Sequence, residues 1–231
     1  FDYNKITGEK VIVSTIEDQT KFTTLDQVER KLSKEDLMIC SAESPLCIAG
    51  VFGGLESGVT NSTKDIFLES ACFNPVSVRK TAKRHGLSTD ASFRFERGSD
   101  PNITIYALKR AAIMINDICG GVVSSDIIDI YPKIISHFEV KLNYNNMDKL
   151  IGEYIDRDVV KSILKNLGIE IKKEMKDGLS LLVPPFKTDV TREVDVIEEV
   201  LRIYGFNTVK TTKNIQSSFI NPSKLDSLLS S

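Results

Sequence analysis

Ile48-Ala-Gly-Val-Phe-Gly-Gly54 opens the most informative region of this sequence, because a strongly apolar segment ends there in two adjacent glycines. Two more runs follow within about fifty positions: Phe67-Leu-Glu-Ser-Ala-Cys-Phe73 and Arg84-His-Gly-Leu-Ser-Thr-Asp-Ala-Ser-Phe-Arg-Phe-Glu-Arg-Gly-Ser-Asp-Pro101. Glycine lets a backbone N–H approach a ligand closely, since no Cβ stands in the way. Small residues, one carboxylate and a cationic stretch together predict a walled ligand pocket.

The composition is that of a folded globular protein without a bias towards one kind of partner. Of the 231 residues, 41% are hydrophobic and 27% are charged, and the formal net charge is -2. This charge excludes a global attraction to nucleic acid or anionic membranes, so such binding needs a local patch. No apolar run approaches the ~20 residues of a membrane span, and no signal-peptide pattern is present. We therefore expect a cytoplasmic protein that does not contact membranes.

The cysteines and histidines give no sign of a disulfide or zinc site. None of the four cysteines forms a CxxC pair, and only His85 and His137 could join them as zinc ligands. Neither histidine has the spacing to a cysteine that a zinc finger requires. We expect reduced and mostly buried thiols. The cysteines are Cys40, Cys47, Cys72 and Cys119.

The pattern of apolar residues predicts an α+β fold with two domains, the first of mixed α/β type and the second small and winged-helix-like, of αββα type. The predicted domains are residues 1–136 and 137–207, followed by a linker or tail at 208–231. In the first domain we expect strands at 10–16, 45–52, 65–71 and 122–131, a basic helix at 74–84, and a helix at 100–119 capped by Asp100. In the second we expect a strand at 138–143, helices at 145–151, 156–167 and 192–204, and a hairpin at 169–174 and 179–183.

Glu69 is the carboxylate of the predicted pocket. It follows Ile66-Phe67-Leu68, and a carboxylate in such apolar company must be paired or point to solvent. Beside glycine amides it could hold a hydroxyl group, while the small side chains of Thr89 and Ala91 leave room for a guest. Alternatively, Glu69 caps the basic helix or pairs with Arg79.

A basic segment covers residues 79–97. Its six Arg and Lys residues stand against Asp90 and Glu96, which gives a net charge of +4. Positions four apart on one helix form a cationic face that could hold nucleic-acid phosphates, and Phe93 and Phe95 could stack on bases. A solvated charged face is the alternative interpretation. The cations are Arg79, Lys80, Lys83, Arg84, Arg94 and Arg97.

Four carboxylates surround the last predicted helix. Asp195, Glu198 and Glu199 project from one side at i, i+3 and i+4, and Asp189 precedes them. Grouped hard oxygen ligands suit Mg²⁺. Alternatively, this is a solvent-facing acidic helix with Asp189 or Thr191 as N-cap. Its predicted inward stripe is Val194, Ile197, Leu201 and Tyr204.

Two of these stretches resemble the β subunit of bacterial phenylalanyl-tRNA synthetase. The motifs between Gly53 and Pro101 are similar to the C-terminal part of its editing region, the B3/B4 domain. The motif Val183-Pro-Pro-Phe-Lys-Thr-Asp-Val, continued by Asp195 to Phe206, resembles the end of its B5 domain. The resemblance covers residues 1–207, but the family's editing domain begins upstream of Phe1, so its N-terminal part is missing here.

The resemblance implies a part of an ATP-dependent phenylalanine–tRNA ligase that works as an (αβ)₂ heterotetramer on tRNA(Phe). It implies that the synthetic, ATP-using site lies in the α subunit and that the β subunit hydrolyses misacylated Tyr-tRNA(Phe). Carried over, Glu69 accepts the tyrosine hydroxyl and the Gly53 region supplies a backbone amide, while Thr89 and Ala91 shape the pocket. The implied Mg²⁺ ligands are Asp189, Asp195, Glu198 and Glu199.

Two other functions compete with this one. The chain could be a non-catalytic scaffold that binds nucleic acid or a partner subunit. It could also be a metal-dependent hydrolase at Asp195, Glu198 and Glu199, although no His or Lys base lies near them in the sequence. We expect the isolated stretch to edit poorly, because one wall of its pocket is incomplete.

Overall fold

The computed structural model describes residues 1–210. These residues divide into two compact units: residues 1–139 with 182–191, and residues 140–181 with those from 192 onward. Helices and antiparallel strands occur in both units, so the α+β class is confirmed. The part of the predicted tail beyond residue 210 lies outside the described residues. Among the described helices, none combines the length and apolarity needed to cross a membrane.

The first unit is built on a four-stranded antiparallel sheet in the order β1-β4-β5-β6, with a separate β2-β3 hairpin. Leu32, Met38 and Ile48 are at most 1% exposed and form the centre of its core. The strands are β1 (Ile12–Thr15), β2 (Lys21–Thr23), β3 (Glu29–Lys31), β4 (Leu37–Cys40), β5 (Pro45–Ile48) and β6 (Phe52–Gly53). The helices are α1 (Pro75–His85), α2 (Asp90–Phe95) and α3 (Thr104–Cys119).

The predicted strand at 45–52 is two strands joined by a tight turn. Gly50 has a φ of +68°, and the Val51 N–H donates to the Ile48 carbonyl at 3.0 Å. A φ in this range is open to glycine at little cost, and it reverses the chain between β5 and β6. The apolar run is long because it continues from mostly buried β5 through the turn into half-buried β6, which periodicity alone does not reveal.

Two other predicted strands are wrong. Residues 65–71 form a single bridge, between Ile66 and Asp2, and no ladder. Residues 122–131 carry no strand, and Val122 and Ile128 are more than 80% exposed. A strand requires hydrogen-bond partners for its backbone groups. Within residues 1–210, residues 65–71 have backbone partners only beside Ile66, where Tyr3 donates to Asp65 and Phe67 donates to Phe1, and residues 122–131 pair with no strand.

The predicted start of α1 and the predicted end of α3 are confirmed, but the predicted start of α3 is wrong. Asn74 caps α1 by accepting from the N–H groups of Val76 and Ser77, and Gly120 ends α3 in the left-handed conformation, as expected. The third helix, however, begins at Thr104. Asp100 instead closes a turn by accepting from the Asn102 N–H at 2.9 Å. The Asp100 carboxylate is thus engaged in a local Asx turn and does not cap α3.

The second unit follows the predicted element order closely. Its three-stranded sheet has the order β7-β9-β8, and its core contains Leu142, Met147 and Leu164. Its elements are β7 (Phe138–Asn143), α4 (Tyr144–Ile151), α5 (Arg157–Asn166), β8 (Glu170–Met175), β9 (Gly178–Val183) and α6 (Glu193–Tyr204). Asp156 caps α5 as expected.

The start and the inward face of α6 differ from the prediction. Arg192 is the N-cap, and its backbone N–H donates to the Asp195 carboxylate at 2.8 Å. Neither Asp189 nor Thr191 takes that position. The buried residues are Val196, Ile197 and Val200, whereas Val194 is 46% exposed. The buried face is thus rotated from the predicted stripe, because the adjacent apolar pairs Val196-Ile197 and Val200-Leu201 allow either neighbour to face inward.

All four cysteines are free thiols. Cys40 and Cys47 are buried in the sheet of the first unit, whereas Cys72 and Cys119 are exposed. The expectation of mostly buried thiols therefore holds for the two strand cysteines and is wrong for the other two.

Candidate functional site

Thr89 joins the start of α2 to the turn between β5 and β6. Its hydroxyl group donates to the carbonyl of Val51 at 2.7 Å and accepts from the N–H of Ser92 at 3.0 Å. The Ser92 hydroxyl in turn accepts from the Thr89 N–H, which completes a capping box. Ala91, two residues further on, is exposed. The cap therefore fixes both predicted pocket residues relative to the Gly50–Gly53 turn.

Gly53 lies directly opposite Cys47 in the β5-β6 pair. The N–H of the next residue, Gly54, donates to the Leu46 carbonyl at 3.0 Å. Because hydrogen-bonded and non-bonded pairs alternate in antiparallel strands, the amide of Gly53 points away from β5. A Cβ at position 53 would lie 2.8 Å from Cδ1 of Leu25, so this glycine also serves close packing.

Glu69 is exposed, but the pKa of its carboxyl group is affected by both desolvation and a nearby charge. Burial by surrounding protein atoms raises the pKa of Glu69, and the amino group of Phe1 opposes that rise. The side chain still reaches water in the free protein, since the residue as a whole is exposed. The pKa of Cys47 is raised to about 12, first by its burial and then by the charge of Glu69. The Glu69 carboxylate is therefore close enough to interact electrostatically with Cys47, the residue opposite Gly53.

The segment after Glu69 packs on the same turn as α2. The rings of Phe73 and Phe95 meet edge to face with their centres 5.1 Å apart. Both rings abut Gly50, where a Cβ would lie 2.7 Å from Phe73 and 3.3 Å from Phe95. The structure thus brings the Glu69 segment, the Thr89 cap and the β5-β6 turn together around Gly50.

The alternative structural roles of Glu69 are not found in the described residues. Asn74 occupies the cap of α1, and no ion pair joins Glu69 to Arg79 within residues 1–210. Two cavities, of about 300 and 490 Å³, lie in the second unit and contain none of the predicted pocket residues. A common cavity for Glu69, Gly53, Thr89 and Ala91 stays a prediction.

The predicted basic segment separates into a free face and paired residues. Arg79, Lys80 and Lys83 are exposed on the side of α1 opposite its buried residues Val78 and Ala82, and they form no ion pair in the described part of the chain. We call these three residues the cationic face. Arg84, by contrast, binds Glu35 and Asp36.

The two aromatic residues of α2 and Arg97, which follows the helix, also differ in their contacts. Arg97 pairs with Glu96 at 2.8 Å and lies over the ring of Phe93, 3.5 Å from its centre. Phe95 packs on Phe73, and Phe93 is 55% exposed. Of the two rings considered for base stacking, Phe95 is therefore engaged in packing.

Asp36 forms a buried charged centre that sequence patterns did not single out. It is fully buried and accepts hydrogen bonds from the Ser33 N–H at 2.8 Å, Thr81 at 2.9 Å and His85 Nε2 at 2.6 Å, and from Arg84. Burial would raise the pKa of Asp36, but these hydrogen bonds outweigh it and lower the pKa. The Ser33-x-x-Asp36 spacing of a turn was the available signal, although it did not identify the partners on α1.

The carboxylates near α6 do not gather into a metal site. Asp195 pairs with Arg192 at 2.8 Å, and Glu199 pairs with Arg202 at 3.0 Å. Asp189 belongs to the first unit, whereas the other three belong to the second. Within residues 1–210, no group of three or more His, Cys, Asp or Glu side chains is arranged to hold a metal ion. Within the second unit, Asp195 and Glu199 are therefore bound to arginines, and as arranged they do not fit the Mg²⁺ that the resemblance implies.

Comparison with known proteins places both units in described families. Residues 1–120 match the B3/4 domain, and residues 140–206 match the tRNA synthetase B5 domain. The chain is 54% identical over 226 residues to the phenylalanine–tRNA ligase beta subunit of Bacteroides fragilis, covering 98% of this chain and 28% of that protein. It is 50% identical to the protein of the same name from Porphyromonas gingivalis, with 98% and 28% covered.

The chain therefore spans little more than a quarter of the length of these relatives. Among solved structures, it is similar to an N-terminal fragment of the phenylalanyl-tRNA synthetase beta-subunit from Pyrococcus horikoshii. That likeness has 17% identity and a TM-score of 0.46, and it covers 88% of this chain and 58% of that one.

Proposed function

Since the chain belongs to the B3/4 domain family and also contains a tRNA synthetase B5 domain, we propose that it acts within the β subunit of a phenylalanine–tRNA ligase. The whole enzyme would charge tRNA(Phe) in the cytoplasm as an (αβ)₂ heterotetramer. ATP would bind at the α subunit, and residues 1–136 would hydrolyse misacylated Tyr-tRNA(Phe). The 54% identity to a protein named for this ligase supports the proposal.

The observation that carries the editing role is the meeting of the Glu69 segment, the Thr89 cap and the β5-β6 turn around Gly50. In the proposed pocket the Glu69 carboxylate accepts the hydroxyl of a tyrosyl group, and the Gly53 region supplies an amide. Phenylalanine has no such hydroxyl, so it would leave a desolvated carboxylate without a partner. A site built to bond a hydroxyl discriminates strongly against an analogue that lacks it.

The hydrolysis itself needs no side-chain nucleophile in this proposal. Thr89 and Ala91 hold the aminoacyl ester so that a bound water attacks its carbonyl carbon. The ester bond then breaks, which releases tyrosine and leaves the ribose hydroxyl of tRNA(Phe) free. Positioning of ester and water supplies the rate enhancement. The Thr89 hydroxyl already bonds Val51, so its role is to set the pocket wall and not to take a proton.

The test is hydrolysis of Tyr-tRNA(Phe) and Phe-tRNA(Phe) by the purified αβ enzyme. We expect the tyrosyl ester to be cleaved much faster than the phenylalanyl ester. Equal rates for both esters would reject the hydroxyl-sensing role.

We further propose that residues 1–231 alone edit poorly. No residue of α3 is buried in the described structure, and Tyr106 and Ile118 are 70% and 76% exposed. A 16-residue helix whose best-covered side is only partly buried gains little stability from packing against the described part of the first unit. Robust cleavage of Tyr-tRNA(Phe) by the purified fragment would contradict this.

A non-catalytic role as a nucleic-acid-binding scaffold is the second candidate, and the cationic face of α1 favours it. Phosphate neutralisation by Arg and Lys needs no pocket. The Glu69→Ala variant of the whole enzyme separates the two functions: unchanged clearance of Tyr-tRNA(Phe) favours the scaffold, and lost clearance favours editing.

Binding of Mg²⁺ at Asp189, Asp195, Glu198 and Glu199 stays a proposal that requires a rearrangement. Asp195 and Glu199 would have to leave Arg192 and Arg202 before they could ligate a metal. Calorimetric titration of Mg²⁺ into the chain, with and without the α subunit, tests it. Metal-dependent hydrolysis at this helix would be rejected if a chelator left the hydrolysis rate unchanged.

A further inference from the structure

We propose that Arg30 is a positioning residue that holds the Gly53 side and the Thr89 side of the editing pocket in fixed relation. This inference rests on the proposed editing function. Arg30 lies on β3, and within residues 1–210 its guanidinium group forms hydrogen bonds with Thr24, Asp26 and His85 and with none of the predicted pocket residues. Its guanidinium group instead joins the two chain segments that carry the pocket.

The first of these segments contacts the β5-β6 turn at Gly53 and Gly54. The Nε atom of Arg30 donates to the hydroxyl oxygen of Thr24 at 3.0 Å, and Thr24 is fully buried. Thr24 forms a bridge with Gly54, and the N–H of Leu25 donates to the carbonyl of Gly53 at 3.0 Å. A shift of Thr24 would therefore be passed directly to the backbone at Gly53.

The second segment carries the Thr89 cap. The Nη1 atom of Arg30 donates to the backbone carbonyl of His85 at 2.8 Å. His85 is the last residue of α1, where carbonyl groups have no partner within the helix. Gly86 then turns the chain with a φ of +62°, and Thr89 follows three residues later. The arginine thus fixes the point from which the short Thr89 loop departs.

The His85 side chain gives this point a second anchor. Its Nε2 atom lies 2.6 Å from the carboxylate of buried Asp36. Arg30 and Asp36 therefore hold the carbonyl and the ring of the same residue, and both attachments come from outside α1. These two contacts therefore hold the C-terminal end of α1 in place relative to the rest of the first unit.

The third bond of Arg30 fixes the direction of its planar group. Nη2 lies 2.6 Å from the carboxylate of Asp26, which also accepts a hydrogen bond from the Thr24 hydroxyl. The Arg30 side chain is only 14% exposed. Three different nitrogens thus reach three acceptors on separate residues, which a planar guanidinium group can do and a lysine ammonium on its flexible stem cannot.

The experiment compares Arg30→Ala and Arg30→Lys in the whole αβ enzyme with wild type. Lys21→Ala is the matched control, because Lys21 lies on the same hairpin and forms an exposed ion pair with Glu29 at 2.9 Å. We expect both Arg30 variants to lower kcat for Tyr-tRNA(Phe) hydrolysis by roughly 10- to 100-fold, since small misplacements of reacting groups have effects of this size. KM for the tRNA and the rate of phenylalanine charging should stay within about two-fold of wild type.

Hydrogen exchange of the same variants gives a readout that does not depend on editing. Faster exchange is expected at the amides of Leu87 and Leu25 in both Arg30 variants and not in Lys21→Ala. These amides donate to Ala82 and Gly53 in the two segments that Arg30 joins.

Each outcome decides a separate question. Wild-type kcat in Arg30→Ala, or full rescue by Arg30→Lys, would overturn the positioning role. So would an equal fall in editing and charging, because that indicates a general loss of stability. If the wild-type enzyme itself does not prefer Tyr-tRNA(Phe), the proposed function fails, and hydrogen exchange alone then decides whether Arg30 joins the two segments.

Discussion

The hydroxyl group of Thr89 donates to the backbone carbonyl of Val51 across 2.7 Å, and this bond connects positions 38 residues apart in the sequence. Val51 is buried and lies in the turn that leads to Gly53. The same hydroxyl caps α2 by accepting from Ser92. One side chain therefore sets both where the helix begins and how the glycine turn faces it.

Replacing Thr89 by alanine should destabilise the first unit measurably. The change removes a helix cap and leaves the Val51 carbonyl without its hydroxyl donor, so we expect the free energy of unfolding to fall by about 1–2 kcal/mol. Urea titration followed by circular dichroism measures this. Thr89→Ser is the control, because it keeps the hydroxyl. A serine variant as unstable as the alanine variant would contradict the hydrogen-bond explanation.

Glu69→Ala should remove discrimination for tyrosine in the whole enzyme. Losing a hydrogen bond to a charged group costs about 1.5–3 kcal/mol, so hydrolysis of Tyr-tRNA(Phe) should fall by roughly 10- to 100-fold. Charging with phenylalanine should not change, since Glu69 would not belong to that site. Single-turnover hydrolysis of labelled Tyr-tRNA(Phe) checks the prediction. Glu56→Gln is the matched control, because Glu56 is an exposed glutamate in the loop after Gly53. An equal loss in both variants would show a nonspecific effect.

Removing Lys80 and Lys83 from the cationic face should weaken tRNA binding and its salt dependence together. Each lost phosphate contact should reduce the slope of log K against log salt by about 0.7–0.9. Filter binding of uncharged tRNA(Phe) to the αβ enzyme over a range of salt concentrations measures the slope. Lys10→Ala, at an exposed lysine outside α1, provides the comparison. An unchanged slope in the double variant would mean that this face is only solvated.

The stability contributed by Asp36 should depend on pH in the acid range. Its pKa is lower in the folded protein than in the unfolded chain, so its contribution is complete above the unfolded value and is lost as the pH falls through the folded value. Asp36→Asn should lower the free energy of unfolding at pH 7 by about 3–5 kcal/mol, because it breaks a buried charged centre. The difference from wild type should shrink as the pH falls below about 4, where the carboxyl group of the unfolded chain becomes protonated.

Urea titrations between pH 3 and 7 would test the Asp36 prediction. Asp65→Asn is the control, because Asp65 is exposed and its side chain makes no hydrogen bond among the described residues. A difference between wild type and Asp36→Asn that did not change with pH would contradict the charged state of Asp36.

Gly50 should not tolerate alanine. Its φ of +68° is unfavourable for an L side chain, and a Cβ would lie 2.7 Å from Phe73. We expect Gly50→Ala to lower the free energy of unfolding by more than about 1 kcal/mol. Gly86→Ala separates the two causes in a thermal melt, because Gly86 has a similar φ of +62° but open space around it. Equal losses in both variants would assign the effect to backbone conformation alone.

Local sequence signals predicted the second unit well. Its helices and hairpin follow from alternation, caps and a Lys-Asp-Gly turn, all of which act between residues close in the chain. The start of α1 at Asn74-Pro75 follows from the same kind of signal. The strand at 122–131 was predicted from its apolar pattern and is absent, because a strand also depends on a partner that no local pattern supplies.

By itself, the sequence determined the α+β class, most helix ends and the residue types of the candidate pocket, because propensity and capping act within a few residues. Tertiary structure decided how those residues are used. It paired Arg84 of the predicted basic segment with buried Asp36, divided the apolar run at Gly50, and placed Arg30 between Thr24 and the end of α1. These outcomes depend on contacts between residues far apart in the chain, and hydrogen-bond partners of that kind exist only after the chain has folded.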